Sequence, residues 1–209
     1  MPINENTNYF MDINDFFSLL DSKSNSILME TEILRNEIFP LLLNHIPKHA
    51  QIIYFDFDAW LRTYSTFHNL DQKIILINPT SMDLEQSLLS FLSWTVPSFD
   101  FLILDSLTTL YQMLDKSSDY NLTNQKFGYY FANIINLVNR INAKILISSF
   151  PITKNNYPWY KNYLGSKLMK HLTDNIVIID YKNTVIHCKF VQTIKPISRM
   201  DFCLRIKSP

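Results

Sequence analysis

Two sets of residues in this chain of 209 have the types and spacing to do chemistry. The first is acidic. Asp56 and Asp58 follow the apolar run Ile52-Ile53-Tyr54-Phe55, and Asp105 closes the run Phe101-Leu102-Ile103-Leu104. A carboxylate at the carboxyl end of a buried strand sits where α/β proteins bind ligands, and the second run has the shape of a Walker B strand. Three carboxylates gathered at one sheet edge could hold Mg²⁺. The plainer alternative is that Asp105 or Ser106 caps a helix running from Leu107 to Leu114.

The second set lies between Phe150 and Lys170, where Lys154, Lys161, Lys167 and Lys170 are interleaved with Tyr157, Trp159, Tyr160 and Tyr163. Cations that meet phosphates, beside aromatic faces on which bases stack, make the composition of single-stranded nucleic-acid binders. A protein interface and simple packing over the core are the alternatives, because Trp and Tyr are favoured in both.

Other reactive side chains make no site. His45 and His49 have the spacing of a helical ligand pair, but Pro47 between them ends the helix and no Cys or acidic partner is adjacent. His187 and Cys188 are neighbours on a strand and so point to opposite faces. Ser148 and Ser149 have no histidine placed as a base. Asp115, Lys116 and Asp119 read as a solvated loop.

Composition narrows the classes further. Only two glycines, Gly128 and Gly165, are present, which excludes glycine-rich phosphate loops, dinucleotide fingerprints and nucleophile elbows. Lys plus Arg and Asp plus Glu both count 19, so any polyanion contact must come from a local patch. Two cysteines, Cys188 and Cys203, make no disulfide framework and suit a reducing interior. The first eight residues are polar, and nowhere do about 18 apolar residues run together as a spanning helix needs. The expectation is a soluble, cytoplasmic protein, so the triplet Asn121-Leu122-Thr123 is a coincidental glycosylation signal.

These side chains must be positioned by a small set of elements. Continuous apolar runs at 27–29, 52–55, 74–77, 101–104 and 145–147 read as strands buried on both faces of a parallel sheet. Amphipathic stretches from Glu32 to Asn44, Met82 to Trp94 and Gln125 to Ile141 read as the intervening helices. Strand–helix alternation implies βαβ units and a three-layer α/β sandwich. Runs at 175–181, 185–191 and 202–206 are joined by short turns and predict an antiparallel extension at one end of the sheet. No repeat or linker divides the chain, so residues 21–209 read as one core domain behind an N-terminal arm, 1–20.

In this order of elements the chain resembles the RecA/RadA recombinase core, the ATPases of homologous recombination. The resemblance rests on Tyr54-Phe55-Asp56-Phe57-Asp58 as strand and acidic turn, and on Asp105-Ser106-Leu107-Thr108 as the Walker B end. Ala143 to Ser149 matches the strand entering the family's second DNA loop, Leu164-Gly165-Ser166-Lys167 onward the segment after it, and residues 187–206 the closing hairpin. The resemblance implies a RecA-like three-layer sandwich and places the 150–170 segment at a DNA-contacting loop. It makes 115–119 an alternative first DNA loop. It also suggests that Tyr9 and Phe10 dock on a neighbouring protomer, although the family's Phe-x-x-Ala pattern is absent; an arm folded back on its own sheet is the other reading.

The departures are as informative. After Ile27-Leu28-Met29-Glu30, where the family has its phosphate loop, this chain reads Thr31-Glu32-Ile33-Leu34-Arg35-Asn36-Glu37. It offers no glycine whose backbone N–H could converge on phosphate and no lysine to reach it, while Glu30, Glu32 and Glu37 repel it. Asp58 stands at the catalytic glutamate position and Phe150 at the polar sensor. Asp56, Asp58 and Asp105 then become relics of an ATPase site. The sequence reads as a pseudo-ATPase without cofactor or resident metal: a recombinase paralogue that works with single-stranded DNA, or with an ATP-binding recombinase or another paralogue, in a homo- or hetero-oligomer. In that role it would be nucleoid-associated. The alternatives are a regulatory or scaffold subunit of a RecA/KaiC-like assembly without nucleic acid, and an enzyme using the three aspartates to bind Mg²⁺.

Overall fold

The computed structural model describes residues 9–65, 73–93, 98–115, 120–151, 166–182, 184–197 and 199–205. Its strands are β1 (Phe10–Asp12), β2 (Ser24–Met29), β3 (Gln51–Asp56), β4 (Lys73–Ile77), β5 (Phe101–Asp105), β6 (Lys144–Ser149), β7 (Asn175–Lys182), β8 (Val185–Gln192) and β9 (Asp201–Arg205). Its helices are α1 (Ile13–Leu19), α2 (Glu32–His45), α3 (Trp60–Ser65), α4 (Leu84–Leu92), α5 (Leu107–Leu114), α6 (Tyr120–Ile141) and α7 (Ser166–Leu172).

The nine strands form one sheet in the order β1-β9-β8-β7-β2-β6-β5-β3-β4. From β7 to β4 every pairing is parallel, and β8 is antiparallel to both β7 and β9. The continuous apolar runs explain this, since successive residues feed two opposite cores. Ile53, Phe55, Leu102, Leu104, Ile145 and Ile147 face α4, α5, α6 and α7. Ile52, Tyr54, Ile103 and Leu146 face α1 and α2, whose Phe16, Leu34, Ile38 and Phe39 are fully buried. The result is the expected three-layer α/β sandwich with an antiparallel extension.

One detail departs from the sequence reading. The run at β4 is an edge strand that pairs only with β3, and its Ile75 and Leu76 are 51% and 38% exposed rather than buried on both faces. At the other edge, residues 10–19 lie back on the chain's own sheet, the second of the two readings of the arm, with Phe16 and Phe17 buried. There β1 pairs in parallel with β9, while Phe16 of α1 packs against Phe190 of β8 and Phe202 of β9, and Phe17 packs against His45 of α2. Two aromatic residues one turn into an amphipathic helix bury more apolar area than a free arm could.

Candidate functional site

Parallel pairing puts Asp56 of β3 directly beside Asp105 of β5, at the carboxyl ends of adjacent central strands. The turn after β3 then carries Asp58 back over them. That turn passes through Ala59 at φ 61, a left-handed conformation that a residue with a Cβ rarely takes. Each of the three aspartates offers an oxygen within 4.8 Å of the others, with Asp56 and Asp105 fully buried and Asp58 partly so. The fold thus gathers the three carboxylates that the sequence reading placed at one sheet edge.

The sequence reading did not single out the cation that two of them hold. Arg35, on the first turns of α2 and only 4% exposed, reaches in from the neighbouring β2–α2 unit. Its Nη1 donates to Asp58 Oδ2 at 2.5 Å and lies 3.4 Å from both oxygens of Asp105. The guanidinium carbon lies over the Trp60 ring, 5.4 Å from its centre, and over the Phe150 ring at 5.1 Å. A signal for this was present. Arg35, Ile38, Phe39 and Leu42 share the i, i+3, i+4, i+7 stripe of α2, and a charge on a core stripe requires a buried partner.

The rest of the network serves Asp105. Tyr54 Oη donates to its Oδ2 at 2.6 Å, and Ser148 Oγ donates to its Oδ1. Burial raises the Asp105 carboxyl to about 6, Arg35 opposes the rise, and the Asp58 charge adds to it. Burial also raises Asp56, although Oδ2 accepts from the Arg62 N–H at 2.9 Å. Arg35 feels a desolvation penalty, but Asp105 and Asp58 outweigh it and hold the guanidinium firmly charged. The helix-capping reading is divided between two residues: Ser106 Oγ accepts from Thr109 N at 3.2 Å and caps α5, while Asp105 is left for the arginine. The peptide between them is cis. Thr108 in turn bonds both the N–H and the carbonyl of Phe150, fixing the ring that covers Arg35.

The other candidates are placed less completely. Lys154, Tyr157, Trp159, Tyr160 and Lys161 lie outside the described residues. Lys167 belongs to α7, and Lys170 is exposed near its end. Tyr9 and Phe10 are 45% and 42% exposed along the β1 edge, beneath Arg199 and Arg205 at 5.7 and 5.3 Å. They lie on the chain's own sheet, with Tyr9 O accepting from Cys203 N at 2.8 Å. His45 packs on Phe17, and His187 lies between Asp180 and Asp201. Among the described residues the three aspartates are the one group with metal-ligand geometry.

No known family profile and no curated protein matches this sequence. Solved structures do. A RadB recombinase superposes with a TM-score of 0.60 over 87% of this chain and 88% of its own, at 11% identity. A KaiC-like protein from the hyperthermophilic archaeon Pyrococcus horikoshii superposes with a TM-score of 0.55 over 87% and 84%, at 7% identity. The chain has the RecA-like fold. At these identities the likeness is one of fold.

Enzymes of this fold hold a magnesium nucleotide at the ends of these strands, and the residues here do not fit one held in that manner. Only Glu30 and Thr31 join β2 to α2, Glu30 N is already committed to Ile179 O at 3.0 Å, and the carboxylates already face a guanidinium. No helix among the described residues is long and apolar enough to cross a membrane.

Proposed function

We propose that this chain is a non-catalytic RecA-like subunit, a recombinase paralogue that assists homologous recombination or DNA repair. The observation that carries the reading is Arg35, a fixed cation of the chain itself, seated among the carboxylates that a nucleotide-hydrolysing relative would use on magnesium and water. The likeness to a RadB recombinase supports the recombination context. In this reading the 150–170 segment supplies the working surface. Its lysines neutralise backbone phosphates, and Tyr157, Trp159 and Tyr160 offer faces for unpaired bases. The ATP-binding step belongs to a recombinase partner or another paralogue in the same oligomer.

A second reading, favoured by the zero net charge and by the likeness to a KaiC-like protein, is a regulatory or scaffold subunit that touches only protein. Purified chain, alone and mixed with its native recombinase, distinguishes them through nucleotide turnover and filament formation on single-stranded DNA. The first reading expects no turnover by the chain alone and altered filaments in the mixture. Turnover of ATP, or filaments indifferent to the chain, overturns it.

A further inference from the structure

We infer that Arg35 is the resident cation of the three-aspartate cluster, and that removing its charge turns the cluster into a divalent-cation site. This deepens the non-catalytic reading of the same site and does not depend on any DNA contact.

The geometry is that of a filled ion site. Oxygens that share a Mg²⁺ or Ca²⁺ lie about 2.0–2.6 Å from it, so two of them stand at most about 5 Å apart. The Asp56, Asp58 and Asp105 oxygens meet that limit, all lying within 4.8 Å of one another. Two of the three carboxylates already hold Arg35 Nη1, at 2.5 Å from Asp58 and 3.4 Å from both Asp105 oxygens. The guanidinium is buried and lies over the rings of Trp60 and Phe150, so it is a fixed part of the site and not a passing surface ion pair.

The match is incomplete in a way that points to a cation. Asp56 is fully buried, yet its Oδ1 has no hydrogen-bond donor. A guanidinium presents a planar fork of donors, and this one turns only Nη1 to Asp58 and Asp105 while its buried Nε has no partner, so the third carboxylate is left short. A spherical ion would satisfy all three at once. The cluster therefore has a buried carboxylate oxygen that its built-in cation does not serve. Without Arg35 two buried carboxylates and a partly buried third would face each other without their cation, a condition relieved by taking up either protons or a metal.

The test is titration with Mn²⁺, without nucleotide, by electron paramagnetic resonance and thermal unfolding, on wild type, Arg35→Met and the double variant Arg35→Met/Asp105→Asn. Arg35→Met is expected to bind Mn²⁺ with a Kd of about 0.1–1 mM, the range of weak oxygen sites, and to gain thermal stability from it. Wild type is expected to bind at least about tenfold more weakly, and the double variant to lose the gain. Should Arg35→Met fail to fold even with Mn²⁺, Arg35→Lys serves instead. Its flexible point charge can swing aside where the braced fork cannot, and it is expected to bind Mn²⁺ more tightly than wild type. Wild type binding as tightly as the variants, or a folded variant that takes up no Mn²⁺, overturns the inference. ATP turnover by wild type would instead sink the non-catalytic reading, so the two fail separately.

Discussion

Arg35 and Asp105 stand 70 residues apart in the chain, yet both oxygens of the Asp105 carboxylate lie 3.4 Å from Arg35 Nη1 in the interior. One comes from the helix after β2 and the other from the end of β5, two strands away. Their meeting makes the strand-end cluster a closed ionic network.

The first consequence concerns stability. Arg35→Met leaves Asp58 and Asp105 without their counter-ion, and breaking a buried pair from one side costs about 3–5 kcal/mol. Arg35→Met/Asp105→Asn removes a charge of each sign and is expected to cost less than the single change. Urea unfolding of both variants against wild type measures the difference. A double variant worse than Arg35→Met would mean that the pair does not act as a unit.

Asp105 gives a pH signature. Its carboxyl is raised from 3.8 to about 6 in the folded state, by burial first. Between those values the folded chain binds more protons than the unfolded one, so this group's contribution is largest in acid and is lost as pH rises toward about 6. Asp105→Asn, whose amide does not titrate, is expected to remove that falling limb from the stability–pH profile. Identical slopes in wild type and Asp105→Asn from pH 4 to 6 would contradict the assignment.

His187 predicts loss on the alkaline side. It lies on β8 with Nδ1 2.8 Å from Asp180 Oδ1 and Nε2 against Asp201, so it ties β7 and β9 to the strand between them. Its hydrogen bond to Asp180 leads the effects that raise its pKa above 6.5; burial opposes the rise, and Asp201 adds to it. A raised histidine stabilises fully below its unfolded value and ceases to do so as pH climbs through the folded one. His187→Gln is expected to flatten the stability profile above pH 6.5. Faster amide exchange in β9 of wild type at alkaline pH, beyond the intrinsic rise, would locate the effect.

How far the sequence carried can be judged from particular residues. The runs that became β3, β5 and β6 were legible because a strand buried on both faces must be apolar throughout. The same logic misplaced β4, whose Ile74 to Ile77 is equally apolar but lies at the edge, because apolar content says nothing of strand order. Asp56, Asp58 and Asp105 were legible through their place after strands. Arg35 was passed over as one residue of a missing loop, since its partners lie 23 and 70 positions away and only the fold brings them together.

Strand order itself is open to test. Ile53 on β3 is 1% exposed and Ile75 on β4 is 51% exposed, although the two are register partners. Ile53→Ala is expected to cost about 2–5 kcal/mol as a core truncation. Ile75→Lys is expected to stay within about 0.5 kcal/mol of wild type, as surface changes do. Equal costs in chemical denaturation would place β4 in the interior.

The proposed function is tested most directly by fluorescence anisotropy of labelled single-stranded DNA, titrated with the chain over a salt series, with and without magnesium ATP. Binding is expected to fall steeply with salt, to ignore ATP, and to be lost in the Trp159→Ala/Lys161→Ala variant. Binding that requires ATP, or no binding either alone or beside its native recombinase, would contradict it.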